Sequence, residues 1–115
     1  MLGLSANLQY YLCCKPIDMR NGFDGLAGIV RNALGHNPVS GSVFIFINRK
    51  GTHIKLLYWD GDGFALYYKR LERGRYTIEG TSGKLSRPVT REELMMILEG
   101  LSFKDLQRKK RYKKM

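Results

Sequence analysis

The feature that most constrains this chain is the run Asp60-Gly61-Asp62-Gly63, set between two long apolar and aromatic stretches, IKLLYWD and GFALYYKRL. Asp-Gly between apolar runs is a strong hairpin signal, because the tight turn needs residues that tolerate positive φ. With Gly61 and Asp62 as the two-residue loop, Trp59 faces Phe64, Leu57 faces Leu66 and Lys55 faces Tyr68. These six share one side of the hairpin with Arg70, and the other side carries Ile54, Leu56, Tyr58, Ala65, Tyr67 and Lys69. A slip of one residue would exchange the sides. Either way, both sides are apolar in the middle and basic at the end away from the tip. The preceding GSVFIFIN supplies a further strand, and RYTIE, after the turn at Arg73-Gly74, a short fourth one. Ser42 to Glu79 therefore reads as an antiparallel meander.

The flanks complete an α+β plan. LQYYLCCKPI is a strand ended by Pro16. In the next segment Phe23, Leu26, Ile29, Val30, Ala33 and Leu34 recur at helical spacing. Asp18, Asn21 or Asp24 offers a start, and Gly35 with Pro38 a stop. Gly25 and Gly28 each weaken this helix by roughly 1 kcal/mol, which points to close packing of its backbone. After the polar stretch GTSGKLSRP, TREELMMILEGL carries a capping box from Thr90 to Glu93 and an apolar stripe through Leu94, Ile97 and Leu101, with Gly100 as the stop. The expected architecture is an antiparallel sheet of four to five strands, in the order strand, helix, strand meander, helix, with both helices on one face. Residues 1–103 form one domain and 104–115 a basic tail. Trp59, in the middle of the aromatic hairpin, is expected to be mostly buried.

Charge then narrows the function classes. Twenty Lys and Arg stand against ten Asp and Glu in 115 residues, a net charge of +10. Such a field favours acidic partners, with nucleic acid first and an anionic membrane surface or an acidic protein behind it. The tail KDLQRKKRYKKM has seven basic residues and one acidic, so it holds +6 of that charge. A block of this kind repels itself and is expected to be disordered when free. No stretch is apolar enough to span a bilayer, and the start lacks the features of a signal peptide, so a cytoplasmic protein without a membrane partner is expected. The adjacent Cys13 and Cys14 point to opposite sides of a strand and read as two small apolar residues in a reducing compartment.

Evidence for catalysis is absent from the sequence. Hairpin chemistry accounts for Asp60 and Asp62, and the further ligands of a calcium loop are missing. Asp18 precedes Arg20 where a helix begins and reads as a partner or cap. His36 and His53 lie in separate turns and make a weak metal signal. No nucleophile has a nearby base, and no phosphate-cradling glycine loop is present. No metal or cofactor is expected. The nucleic-acid contacts proposed from the sequence are Arg49, Lys50, Lys55, Lys69, Arg70, Arg73 and Arg75 at the basic end of the meander, and Arg108, Lys109, Lys110, Arg111, Lys113 and Lys114 in the tail. Stacking of bases on an exposed Tyr or Trp is the sharper alternative to an all-core role for the aromatics.

Several segments together resemble one family. Asp18-Met19-Arg20, Gly25-Leu26, Phe44 to Arg49, Lys55 to Gly63 and Lys69 to Gly74 are similar, in order and spacing, to the small accessory protein (Orf2-like, or TnpB) of the IS-sixty-six group of bacterial insertion sequences. The resemblance covers about residues 10–101. It makes Asp18, Met19, Arg20, Trp59, Asp60, Gly61, Asp62 and Gly63 structural motif residues. After the glycine of the Leu-Glu-x-Gly segment the family has an aromatic and then Trp-Pro, where this chain has Arg75, Tyr76, Thr77, Ile78 and Glu79. The resemblance implies a non-catalytic role in transposition beside a separate transposase of the same element. Three mechanisms follow as expectations: a DNA-binding accessory factor, a protein adaptor for the transposase, or a small nuclease. The sequence assigns no oligomeric state.

Overall fold

The structure, a computed structural model, describes residues 7–78 and 83–100. Strand β1 (Tyr10–Cys13) leads into helix α1 (Phe23–Asn32), followed by β2 (Val43–Ile47), β3 (His53–Trp59), β4 (Phe64–Arg70), β5 (Ser86–Val89) and helix α2 (Arg91–Leu98). The five strands form one sheet in the order β4-β3-β2-β1-β5. The fold is α+β, as expected, but the sheet is mixed. β1 and β2 are parallel neighbours, Tyr11 opposite Phe44, because α1 carries the chain back across the sheet between them. The remaining pairings are antiparallel.

The β3–β4 register is the one the hairpin chemistry dictates: Trp59 opposite Phe64, Leu57 opposite Leu66, Lys55 opposite Tyr68. Gly61 takes φ +88° and no other residue of the loop has positive φ, the arrangement of a II′ turn. The Asp60 amide donates to the Gly63 carbonyl at 2.8 Å and closes the loop.

Three expectations about the architecture are overturned. First, the helices do not share a face. Leu94 and Ile97 of α2 pack on one side with Tyr10, Leu12, Val43, Ile45, Ile47, Ile54 and Leu56. Leu26, Ala27 and Val30 of α1 pack on the other with Cys13, Phe44, Phe46 and Leu57. The sheet is thus a middle layer, which explains why VFIFI in β2, its central strand, is apolar at every position and buried throughout. Second, residues 75–78 of RYTIE do not form a strand, whereas the segment read as a polar loop supplies β5, an edge strand where Pro88 is tolerated. Third, close packing explains only one of the two α1 glycines: a Cβ at Gly28 would meet nothing within 4 Å, whereas one at Gly25 would stand 2.5 Å from Oδ1 of the Asn21 side chain.

The helix signals fare unevenly. Thr90 and Glu93 make the full capping box, the Thr90 hydroxyl accepting from the Glu93 amide at 3.0 Å. α1 begins instead at Gly22 without a side-chain cap, so neither Asp18, Asn21 nor Asp24 fills that role. Its far end closes as expected, at Gly35 with φ +70°, where the His36 amide reaches back to the Val30 carbonyl at 3.0 Å. Trp59 is half-buried and not part of either core; its ring meets Phe64 edge-on, with centroids 5.1 Å apart. Among the described residues no helix is long and apolar enough to cross a membrane.

Candidate nucleic-acid interface

The end of the sheet opposite the Asp60–Gly63 tip is built by the turn between β2 and β3. Asn48 organises it. Its side-chain oxygen accepts from the amides of Thr52 (2.9 Å) and His53 (3.0 Å), while its Nδ2 donates to the Thr52 hydroxyl at 2.9 Å. The Gly51 amide donates to the Asn48 carbonyl at 3.1 Å, with Gly51 at φ +71°. Arg49 and Lys50 occupy the exposed corner. The segment after β4 then folds against this turn. The Leu71 amide donates to the Thr52 carbonyl at 2.9 Å and the Tyr76 amide to the Gly51 carbonyl at 2.7 Å. A Cβ at position 51 would lie 2.6 Å from the Tyr76 carbonyl oxygen, so glycine is required for both reasons. The approach also sets Arg75 beside the turn, its Nε 3.4 Å from where that Cβ would stand.

Arg49, Lys50, Arg73 and Arg75 are exposed, and none makes an ion pair with a described residue. Arg70 is exposed but bound to Glu72 at 2.8 Å, a solvent-facing pair of small energetic value. Two hollows adjoin here. A groove of about 650 Å³ is lined by Asn48, Arg49, Lys50, Thr52 and His53 on one side and by Pro16 to Met19 on the other. A smaller one of about 310 Å³ lies between Arg49 and residues 75–78.

Lys55 and Lys69 do not belong to this exposed patch. Lys55 is only 6% exposed. Its ammonium donates to the carbonyls of Met19 and Asn21, both at 2.8 Å, and lies 4.6 Å from the centre of the Tyr68 ring. A buried cation is tolerable only with such partners. Lys69 donates to the Leu98 carbonyl at 3.2 Å, where the C-terminal end of α2 attracts positive charge. Strand alternation alone places both at the basic end; the segments that cover them come from 36 and 29 residues away.

The loop that Lys55 holds carries the Asp18 motif. Asp18 accepts the Arg20 amide at 2.8 Å and binds its guanidinium through both oxygens, at 3.1 Å to Nε and 2.8 Å to Nη2. Those hydrogen bonds hold the Asp18 carboxyl below its ordinary range. The Asn21 amide also returns to the Asp18 carbonyl at 3.2 Å, so these contacts form a turn ahead of α1. The histidines are separated: His36 lies tilted against Tyr11 with ring centroids 4.3 Å apart, and His53 begins β3 with Nδ1 2.6 Å from the Thr52 hydroxyl. Among the described residues no three His, Cys, Asp or Glu side chains come together as a metal site.

Asn48, Thr52 and His53 are not marked by the sequence as site residues, although Asn before an Arg-Lys-Gly turn is a recognisable side-chain clamp. Residues Arg108, Lys109, Lys110, Arg111, Lys113 and Lys114 lie outside the described residues, as does the rest of the tail.

Comparison with known proteins places the chain in a family. The sequence profile described as "IS66 Orf2 like protein" matches residues 8–108. Two proteins of Sinorhizobium fredii are similar: "Uncharacterized protein y4jC" is 32% identical over 110 residues, covering 95% of this chain and 92% of its own length. "Uncharacterized protein y4hO" is 33% identical over 104 residues, covering 90% of each. No solved structure matches.

Proposed function

The chain belongs to the IS66 Orf2-like family of insertion-sequence accessory proteins, and we propose that within it the protein acts without catalysis, holding DNA for a separate transposase of the same element. The observation that carries this reading is the cluster of Arg49, Lys50, Arg73 and Arg75, four exposed cations gathered at one end of the sheet by hydrogen bonds between two segments distant in sequence. A fold that draws like charges together on an open surface gains from an anion placed there. The phosphodiester backbone is the anion whose repeat suits a spread of separate cations. The tail cations from Arg108 to Lys114 add a second, sequence-independent grip.

Binding is then nonspecific, with a Kd on the order of 10⁻⁴–10⁻⁶ M at physiological salt. Each phosphate neutralised adds about 0.9 to the slope of log affinity against log salt on a duplex. Fluorescence anisotropy on a labelled duplex across a salt series tests the reading. Removal of Lys104 to Met115 is expected to flatten the slope by several units, and replacement of Arg49, Lys50, Arg73 and Arg75 by Ala to flatten it further. A slope unchanged by both would rule out DNA contact and favour the adaptor reading, in which the same cations meet an acidic surface of the transposase.

A further inference from the structure

The exposed aromatic residue beside the basic groove is Tyr68. At 53% exposed it is the most open of the large hydrophobic side chains among the described residues. It projects from β4 on the same side as Arg70 and opposite Lys55. A ring in that position on a sheet face would ordinarily be covered. Here one neighbour is the Lys55 ammonium, 4.6 Å from the ring centre, which is itself fixed by the Met19 and Asn21 carbonyls. Another is His53, whose ring centroid lies 5.7 Å away. Both connect Tyr68 to the groove, because His53 and Met19 line it together with Arg49 and Lys50.

We propose that Tyr68 is a stacking platform for an unpaired base, and that the groove from Lys50 past His53 carries the adjoining phosphates of a single or distorted DNA strand. The inference rests on the DNA-binding reading above and specifies the form of DNA. Three physical points support it. An aromatic ring held from behind by a fixed cation loses little freedom on binding, so a stacked base gains most of the contact energy. Cations flank the ring, with Arg70 two residues along the same strand and Arg49 and Lys50 across His53, and such interleaving of charge with an aromatic face is how sequence-tolerant single-strand grooves are built. A paired duplex keeps its bases stacked on each other and offers the ring nothing. Two carboxylates stand near this path, Glu72 bound to Arg70 and Asp18, which lines the groove, bound to Arg20, each at 2.8 Å; each is offset by its own arginine, and the solvent-exposed Arg70–Glu72 pairing is weak enough for a phosphate to displace.

The test compares an oligo-thymidine strand with a strand of the same length carrying abasic sites, by anisotropy at fixed salt. The parent protein is expected to bind the thymidine strand about ten-fold more tightly. Tyr68→Ala is expected to bind both strands equally, at the abasic level, while its affinity for duplex stays as in the parent. Tyr68→Phe, which keeps the ring, is expected to retain the preference, and thermal unfolding of each variant checks that the fold is intact. Equal binding of the two strands by the parent, or a preference that survives in Tyr68→Ala, overturns the stacking role while duplex binding still stands. A parent protein that binds neither strand nor duplex overturns both this inference and the DNA-binding reading.

Discussion

The two ends of the β3–β4 hairpin are made of the same strands and differ in how they are held. The tip is local: Asp60, Gly61, Asp62 and Gly63 close a two-residue turn by their own backbone, and Trp59 and Phe64 lean on each other. The base is assembled from afar: the Asn48–Thr52 turn, the Arg75–Tyr76 segment, and the Met19–Asn21 loop held by Lys55 meet there. The tip ends the sheet; the base gathers charge. Long-range assembly is what allows four cations from two segments to be fixed close together, and a local turn cannot do that.

The largest effect expected from disturbing this contrast is at Lys55. Lys55→Met keeps the stem but leaves the Met19 and Asn21 carbonyls without their charged donor, for a loss of about 3 kcal/mol in urea unfolding. A variant as stable as the parent would mean the loop is held by other contacts. The glycines give a matched pair. Gly51→Ala combines φ +71° with a backbone oxygen 2.6 Å from the new Cβ and is expected to cost about 2 kcal/mol or more, whereas Gly61→Ala at φ +88° meets nothing within 4 Å and costs about 1 kcal/mol. Equal losses by chemical denaturation would erase the distinction between the ends. Trp59→Ala removes an edge-on aromatic contact from a half-buried site, for about 1 kcal/mol beyond its modest burial, well short of the 3–5 kcal/mol of a fully buried Trp.

The smallest effect at neutral pH belongs to Tyr76, 3% exposed at the base, whose hydroxyl has no hydrogen-bond partner among the described residues. Tyr76→Phe is expected to leave stability unchanged or slightly raised, since it removes a buried polar group without a partner. Burial, and then the neighbouring Tyr67, push the Tyr76 hydroxyl up to about 12. Its folded value lies above the ordinary one of 10, so the folded chain holds the proton more tightly and stability falls as pH rises from 10 towards 12. The Phe variant is expected to lose less stability across that window, read as a shallower fall of the urea midpoint. Parallel curves for the two proteins would contradict it.

The same contrast decides what was legible in the sequence. Asp60 to Gly63 announced the hairpin and its register, and Thr90 with Glu93 announced α2, because both signals act within four residues. Central burial of β2 was visible as the unbroken run from Val43 to Ile47, but its meaning, a helix on each side of the sheet, was not. That depends on the crossover by α1, which makes β1 and β2 parallel. β5 was hidden because Ser-Arg-Pro-Val has weak strand character and pairs with β1 only as an edge. Lys55 and Lys69 looked like surface cations because alternation places them at the basic end, and only the loops that fold over them remove them. Tyr68 was the converse: its neighbours along β4 pack against the sheet faces, and its own exposure follows from what does not cover it.

The most direct measurement is amide chemical-shift mapping by two-dimensional NMR as duplex DNA is added. Perturbations are expected to concentrate at residues 48–53 and 70–76 and in the tail, with Trp59 to Phe64 unmoved. Shifts centred on the Asp60–Gly63 tip, or none at the base, would contradict this expectation.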